Sequence, residues 1–101
     1  MGKKELNKTI KEALTSGSIG NEINKLSLFG SYLRGDYNEN SDVDLLVEFA
    51  PGKGVGLFKL LEIQEKLESL VKRRVDLLTL HQLSPYFRSK VLSEAEVIYE
   101  R

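Results

Sequence analysis

The chain has 101 residues, in which 15 lysine and arginine residues balance 15 aspartate and glutamate residues, and it contains no cysteine. A chain of this length supports one small domain with a modest core, so we expect residues 1–101 to form a single domain. Zero net charge removes the global basic field that would drive stable, unspecific nucleic-acid binding. The lack of cysteine excludes disulfides and thiolate metal sites, and together with the lack of an apolar leader or a membrane-length run it predicts a cytoplasmic protein.

The N-terminal half predicts one helix followed by two strands. Residues 4–16 place apolar side chains four, seven and eight positions apart, which is the spacing of one face of an amphipathic helix. The short apolar segment Lys25–Phe29 predicts the first strand, and Asp42–Phe49 predicts the second. Alternate residues of the second strand, from Val43 onward, are apolar and form a core-facing stripe.

The C-terminal half predicts two further helices and two further strands. The segment Leu57–Lys72 carries an apolar stripe opposite Glu–Lys pairs and predicts the longest helix, and Val75–Thr79 predicts the third strand. Ser84–Pro85 has the residues favoured at the start of a helix, and Val97–Tyr99 predicts the last strand. The predicted apolar face of that last helix consists of Phe87, Val91, Leu92 and Ala95. These elements predict an α/β or α+β fold, with a small mixed sheet of about four strands and helices packed on one side.

Two carboxylates open the second predicted strand. Asp42 and Asp44 are two residues apart, so in a strand both side chains lie on the same face. Because like charges a few ångströms apart repel each other, one carboxyl pKa would be raised in the absence of a counter-ion. A divalent cation removes this conflict. Oxygen-only ligation suits Mg2+ or Mn2+, which usually bind through one or two carboxylates together with substrate phosphates.

A glycine–serine pair follows the first predicted strand. Gly30 permits unusual backbone dihedrals and a close approach to a ligand, and the amides at the start of the next helical turn form an anion site. Ser31 adds a hydroxyl donor. These two residues therefore predict the phosphate-binding half of a nucleotide site.

A third carboxylate, Asp76, interrupts the apolar run of the third predicted strand. Because burying an unpaired carboxylate costs several kcal/mol, Asp76 must lie at a strand end, pair with Arg73 or Arg74, or bind a metal. Taken alone, the position favours the ion pair with an arginine over metal binding.

The segments around these residues resemble the polymerase-beta-like nucleotidyltransferases. Gly30–Ser31, ten intervening residues and then Asp42–Asp44 match the signature pattern of that superfamily. Phe29–Asp36 and Ser41–Val47 are similar to the minimal nucleotidyltransferase branch, whose members are usually paired with a HEPN-domain partner in toxin–antitoxin modules. Arg74–Leu78 is a third match. The resemblance covers the chain from about Leu26 to Ile98 and implies the nucleotidyltransferase fold.

This resemblance implies a transfer of AMP from ATP to a tyrosine of the HEPN partner, which silences the partner as a toxin. It also implies a site with two Mg2+ ions, for which Mn2+ is the alternative metal. The implied catalytic and metal-binding residues are Asp42, Asp44 and Asp76, and the implied nucleotide-binding residues are Gly30, Ser31 and Arg34. Asp76 is implied to help deprotonate the attacking hydroxyl. For Arg34, a surface ion pair with Asp36 is an equally common arrangement.

Two alternative functions and one alternative loop role stay open at this point. The protein is either an enzyme or an antitoxin that neutralises its partner by covering it, although a pure binding module needs none of the three carboxylates. Transfer to a small molecule, as in the antibiotic-modifying members of the superfamily, is the second alternative, and the lack of an added acceptor domain counts against it. The glycine-rich loop around Lys53 is either a lid over the nucleotide or only a connection.

Overall fold

The computed structural model describes residues 2–17, 19, 21–38, 40–52 and 54–101. The helices are α1, Lys3–Thr15; α2, Ser31–Arg34; α3, Leu57–Val71; and α4, Pro85–Glu94. The strands are β1, Ile23–Phe29; β2, Val43–Phe49; β3, Val75–Leu78; and β4, Glu96–Glu100, and a 3-10 turn over Leu80–Gln82 precedes α4. The predicted lid residue Lys53 lies outside the described residues. In the part of the chain that the structure describes, no helix is both long and apolar enough to cross a membrane.

The four strands form one mixed sheet in the order β3-β2-β1-β4. Strand β1 is antiparallel to both β2 and β4, whereas β2 and β3 are parallel. The parallel pair brings the first residues of β2 and β3 to the same edge of the sheet, where the antiparallel β1 ends. The predicted four-stranded mixed sheet is therefore confirmed, and its topology gathers the three predicted site segments at one edge.

The helices cover the two faces of the sheet unequally. Side chains of α1 and α3 form the main core with the inward-facing residues of β2, Val43, Leu45 and Val47. On the opposite face Leu46 packs with Val91 of α4 in a second, smaller cluster. The expectation of helices on one side thus holds for α1 and α3, whereas α4 lies across the other face.

Helix α4 also differs from its predicted apolar face. Val91 is buried, but Phe87 and Leu92 are each 48% exposed. The face that α4 turns to the sheet is thus not an apolar stripe, because only one of its large apolar side chains enters the core.

Tyr32 anchors α2 to the rest of the molecule. Its side chain is fully buried and stacks on Tyr37 with ring centroids 4.1 Å apart and an angle of 6° between the rings. The Arg73 guanidinium lies 5.4 Å from the centre of the Tyr32 ring, on the segment that leads into β3. The stack therefore connects the helical turn after Gly30 to the entry of β3, and Tyr32 is a packing residue.

Helix α3 bonds directly to the outer edge of β3. The Val75 amide donates to Oε2 of Glu68 at 2.9 Å, and the Leu77 amide donates to Oε1 of Gln64 at 3.4 Å. These side chains satisfy amides that an edge strand would otherwise leave without a strand partner. The bonds hold β3, and with it Asp76, in register beside β2.

The last residue of this region, Lys72 at the C-terminus of α3, allows a test of backbone strain. Lys72 adopts left-handed dihedrals, with φ 56° and ψ 41°, a conformation that costs a residue with a Cβ roughly 1–2 kcal/mol. We expect Lys72→Gly to increase the free energy of unfolding by up to about 1 kcal/mol, because glycine relieves that strain but has a more flexible unfolded state. Urea unfolding measures the change. As a control, Lys66→Gly inside α3 should lower stability by about 1 kcal/mol, and a loss in both variants would contradict the prediction.

Candidate active site

Gly30 lies at the junction of β1 and α2 in a conformation that only glycine adopts readily. Its dihedrals are φ 76° and ψ −152°. A Cβ at this position would overlap Oδ2 of Asp44 and would lie 3.0 Å from the carboxyl carbon of that residue. Glycine is therefore required both for the backbone turn and for the close approach of the Asp44 carboxylate to it.

Asp44 occupies the centre of the three strands that meet at this edge. In the sheet register it is opposite Phe29 of β1 on one side and Asp76 of β3 on the other. Asp44 is partly buried, whereas Asp76 is exposed. Within the described residues Asp76 forms no ion pair, so the salt bridge with Arg73 or Arg74 that its position favoured is not formed. The structure thus places two carboxylates side by side, and no cation of the described residues forms an ion pair with either of them.

The environment of Asp44 disfavours its ionised form. Partial burial raises the pKa of the Asp44 carboxyl to about 6, and repulsion from Asp76 and then from Asp42 adds to this increase. The positive charge of Arg34 acts in the opposite direction but is the smallest of these effects. The carboxylate repulsion predicted from the sequence therefore acts on Asp44. Asp76 on the neighbouring strand contributes more of it than Asp42 does.

Asp42 precedes β2 and borders a neighbouring groove, which it shares with Lys72, Arg73 and Arg74. The amide of the next residue, Val43, donates to the Arg74 carbonyl at 2.9 Å and fixes the start of β2. Asp42 therefore influences Asp44 through its charge, while its surroundings are more basic than those of the other two carboxylates.

Arg34 and Ser31 line the same side of the site as Gly30. Nε of Arg34 donates to Oδ2 of Asp36 at 3.3 Å, and the side chains of this pair are 59% and 62% exposed. Both arrangements considered for Arg34 are thus present, because it pairs with Asp36 and also borders the cleft that contains Asp44. The pairing and the exposure reduce the charge that Arg34 offers to a ligand.

An open cleft of about 380 Å³ joins these residues. Five of the six predicted site residues line it, namely Gly30, Ser31, Arg34, Asp44 and Asp76. The remaining lining residues are Phe29, Leu78, Leu83, Phe87, Lys90, Val91 and Glu94. Sequence reasoning did not include the contribution of α4. The signal that was available is the spacing of Phe87, Lys90, Val91 and Glu94, which lie on one helical face.

The acidic residues of the cleft have the chemistry of a magnesium site with few protein ligands. Among the described residues, no group of three or more acidic, histidine or cysteine side chains is arranged to enclose a metal ion. Asp44 and Asp76 nevertheless supply neighbouring oxygen ligands, and Mg2+ commonly binds one or two carboxylates and completes its coordination with waters and phosphate oxygens. The donor set therefore fits a cation that is bound together with a phosphate ligand.

Comparison with known proteins settles the family. The model of the family described as nucleotidyltransferase domain matches residues 4–98. The chain belongs to the nucleotidyltransferase domain family. Protein adenylyltransferase MntA of Thermococcus cleftensis is 40% identical to this nucleotidyltransferase over 77 residues, which are 76% of this chain and 74% of the relative.

Solved structures share the fold of this nucleotidyltransferase. One described as a "putative minimal nucleotidyltransferase" superposes with a TM-score of 0.78 at 35% identity, and the match covers 94% of each chain. A crystal structure of a toxin–antitoxin with AMP-PNP contains a chain that superposes with a TM-score of 0.74 at 25% identity, covering 94% of this chain and 73% of that one. The predicted nucleotidyltransferase fold is confirmed, and the substrate is a nucleotide.

The contact between Gly30 and Asp44 predicts that one methyl group added at residue 30 strongly destabilises the fold. We expect Gly30→Ala to lower the free energy of unfolding by roughly 3 kcal/mol or more, since it adds overlap with the carboxylate to a strained backbone. Gly35→Ala is the matched control, because Gly35 also has positive φ, 85°, but a Cβ there would meet no atom of the described residues within 4 Å beyond its chain neighbours. Gly35→Ala should lower the free energy of unfolding, measured with urea, by only about 1–2 kcal/mol. In an Asp44→Ala background most of the extra loss should disappear, and an unchanged loss there would contradict the overlap.

The raised pKa of Asp44 predicts a pH-dependent stability. Between about pH 4 and pH 6 the folded chain retains the Asp44 proton more tightly than the unfolded chain, so this contribution to stability falls as the pH rises through that range. With a chelator at about pH 7.5, Asp44→Asn should therefore be more stable than the wild type by about 1 kcal/mol, a figure discounted for solvent screening. The advantage should vanish near pH 4. Asp36→Asn serves as the control and should show no gain, and an Asp44→Asn protein that is less stable at about pH 7.5 would refute the prediction.

Proposed function

We propose that this nucleotidyltransferase transfers AMP from ATP to a tyrosine hydroxyl of a HEPN-domain toxin and thereby acts as the antitoxin. The observation that carries this proposal is the position of Asp44, which touches the Gly30 turn and lies opposite Asp76. This arrangement puts the candidate metal ligands beside the candidate phosphate site. The name of the Thermococcus relative, protein adenylyltransferase, and the toxin–antitoxin complex with AMP-PNP support the choice of ATP as donor and of a toxin as acceptor.

The phosphate half of the mechanism depends on the turn between β1 and α2. Gly30 lets the backbone approach the triphosphate, and the amides and the Ser31 hydroxyl donate hydrogen bonds to the β- and γ-phosphate oxygens. Arg34 adds positive charge at the rim of the cleft. These groups hold the pyrophosphate in place as it leaves.

The acidic half would hold Mg2+, or Mn2+, through Asp44 and Asp76 in the cleft, and Asp42, which borders the neighbouring groove, would be the ligand added for a second ion. When bound, the cations supply charge neutralisation at the phosphates and lower the pKa of the attacking hydroxyl. Asp44 is positioned for this role by the main core, since the residues on either side of it in β2, Val43 and Leu45, are both fully buried. A rigid strand holds the carboxylate where its repulsion with Asp76 favours a bound cation over an empty pair.

The transfer itself exchanges a phosphoanhydride bond of ATP for a phosphoester bond to the acceptor. The acceptor oxygen bonds to the α-phosphorus, the bond from that phosphorus to the α,β-bridging oxygen breaks, and pyrophosphate carries away the electron pair. Asp76, which is exposed, accepts the proton of the attacking hydroxyl as the bond forms. The cleft is open and Asp76, one of its lining residues, is exposed, so a side chain of a docked protein can reach the reacting atoms.

The domain organisation and the location follow from the same proposal. We infer that residues 1–101 act as one nucleotidyltransferase domain, because the family match spans residues 4–98 and the main core includes side chains from α1 through β4. We propose that the two proteins meet in the cytoplasm, where ATP, the proposed donor, is available.

The deciding experiment is transfer of α-labelled ATP to a co-purified HEPN-type protein in the presence of Mg2+. We expect label on the partner with the wild type, and a loss of at least about a hundredfold with Asp42→Asn/Asp44→Asn, because the cation site loses two charges. Glu65→Gln on α3 is a control, since this exposed residue is remote from the cleft, and it should transfer AMP at the wild-type rate. Omission of Mg2+ should abolish transfer.

Two results would replace this proposal with the alternatives raised by the sequence. Absence of label, with the partner bound and inhibited equally by wild type and by the double variant, would show an antitoxin that works by occlusion. Transfer to an aminoglycoside without any protein partner would show a small-molecule nucleotidyltransferase.

A further inference from the structure

The face that α4 turns to the cleft is the part of the site that the proposed function does not yet use. Phe87, Lys90, Val91 and Glu94 line the cleft at spacings of three, four and seven residues, which is one face of the helix. Val91 attaches this face to the sheet by packing with Leu46 and Leu83. The other three side chains are at least partly exposed and can therefore contact a ligand.

Lys90 contributes a positive charge to the lining of the cleft. Within the described part of the chain its ammonium group forms no ion pair, although Asp44, Asp76 and Glu94 line the same cleft. Arg34, which also lines the cleft, is paired with Asp36 at 3.3 Å. An unpaired ammonium group in an open cleft is available to an anionic ligand at little cost in lost protein contacts.

The direction of α4 gives the cleft a polar end and an apolar end. The chain passes from Glu94 directly into β4, whose first residue, Glu96, is opposite Leu28 near the end of β1, so Glu94 lies towards the Gly30 end. Phe87 is two helical turns earlier and lies towards Leu83 and Leu78, and Leu78 is one same-face step along β3 beyond Asp76. Lys90 is between the two ends.

The Gly30 end of the cleft, with Ser31 and Arg34, suits phosphate groups, and the opposite, apolar end suits a base. We propose, on the basis of the function proposed above, that α4 forms a nucleotide-binding wall in which Lys90 binds triphosphate oxygens and Phe87 stacks on the base. The apolar end, with Leu78, Leu83 and the half-exposed Phe87 ring, offers a stacking surface of the kind that tolerates any base. Lys90 then complements the hydrogen bonds from the Gly30 turn with a full positive charge.

Direct binding measurements on the full chain test the two roles separately. The probe is α,β-methylene-ATP with Mg2+, which binds as ATP does but cannot transfer AMP, and adenosine is the probe without phosphates. We expect Lys90→Met to weaken binding of the ATP analogue by about 10- to 100-fold while leaving adenosine binding unchanged, and Lys90→Arg to restore most of the affinity. Phe87→Ala should weaken binding of both probes by about tenfold.

The chain supplies matched controls for both substitutions. Tyr86 is adjacent to Phe87, is 94% exposed and does not line the cleft, so Tyr86→Ala should bind both probes like the wild type. Lys8, an exposed lysine on α1, is the control for charge, and Lys8→Met should have no effect. Thermal unfolding of each variant should match that of the wild type, because the replaced side chains are exposed or half-exposed.

The outcomes separate this inference from the proposed function. Unchanged affinity for α,β-methylene-ATP in both Lys90→Met and Phe87→Ala would overturn the nucleotide-binding wall, and so would a wild-type chain that binds neither probe. If those variants keep nucleotide affinity but lose transfer to the HEPN partner, α4 contacts the acceptor, and the inference fails while the proposed function stands. If they lose nucleotide affinity in a protein that labels no partner, the inference stands and the proposed function fails.

Discussion

The site depends on the contact between the backbone of Gly30 and the carboxylate of Asp44. A Cβ at residue 30 would overlap that carboxylate, so the phosphate-binding turn and the acidic strand can approach each other only with glycine between them. Asp44 is also opposite Asp76 in the parallel pair, which extends the same contact to β3. The Gly30 turn and the starts of β2 and β3, which are separate segments of the sequence, thus meet at Asp44. The stacking of Tyr32 on Tyr37 and the bonds from α3 to β3 keep them there.

This close approach has a cost in stability that the main core must offset. The pKa of Asp44 is raised to about 6, chiefly by burial, so near neutral pH the folded chain holds a carboxylate that would be better solvated in the unfolded state. The neighbours of Asp44 along β2 are fully buried, and burial of each such apolar side chain contributes about 1.5–3 kcal/mol. The strand that presents the carboxylate is therefore also one of the best-packed strands. The Asp44 carboxylate, which lowers stability near neutral pH, is thus carried by β2, a strand whose buried side chains stabilise the fold.

The parts of this molecule that could be predicted from sequence are those encoded by local patterns. The alternation in β2 fixes which face carries Asp44, and the Gly30–Ser31 pair marks the turn, because period-two burial and positive φ each leave a direct trace in the sequence. The cleft-lining role of α4 leaves a weaker trace, which is the spacing of its lining residues on one helical face. A helix whose inner face binds a ligand mixes Phe87, Lys90 and Glu94 with a single buried residue, Val91, and this pattern resembles an ordinary solvated helix. The separate groove of Asp42 also depends on how Arg73 and Arg74 pack, which is a tertiary effect.

The charges of the cleft determine the form in which a nucleotide can enter it. Among the described residues, three carboxylates and two cations line the cleft, and one of these cations, Arg34, is already paired with Asp36. Free ATP would bring further negative charge towards Asp44 and Asp76 and would be repelled, whereas ATP bound to a divalent cation reduces the repulsion on both sides. We therefore expect the nucleotide to enter the cleft as its complex with the cation, and not as free ATP before or after the cation binds. The arrangement of two neighbouring carboxylates, with no third enclosing ligand among the described residues, has the same consequence, because the phosphate oxygens must complete the coordination.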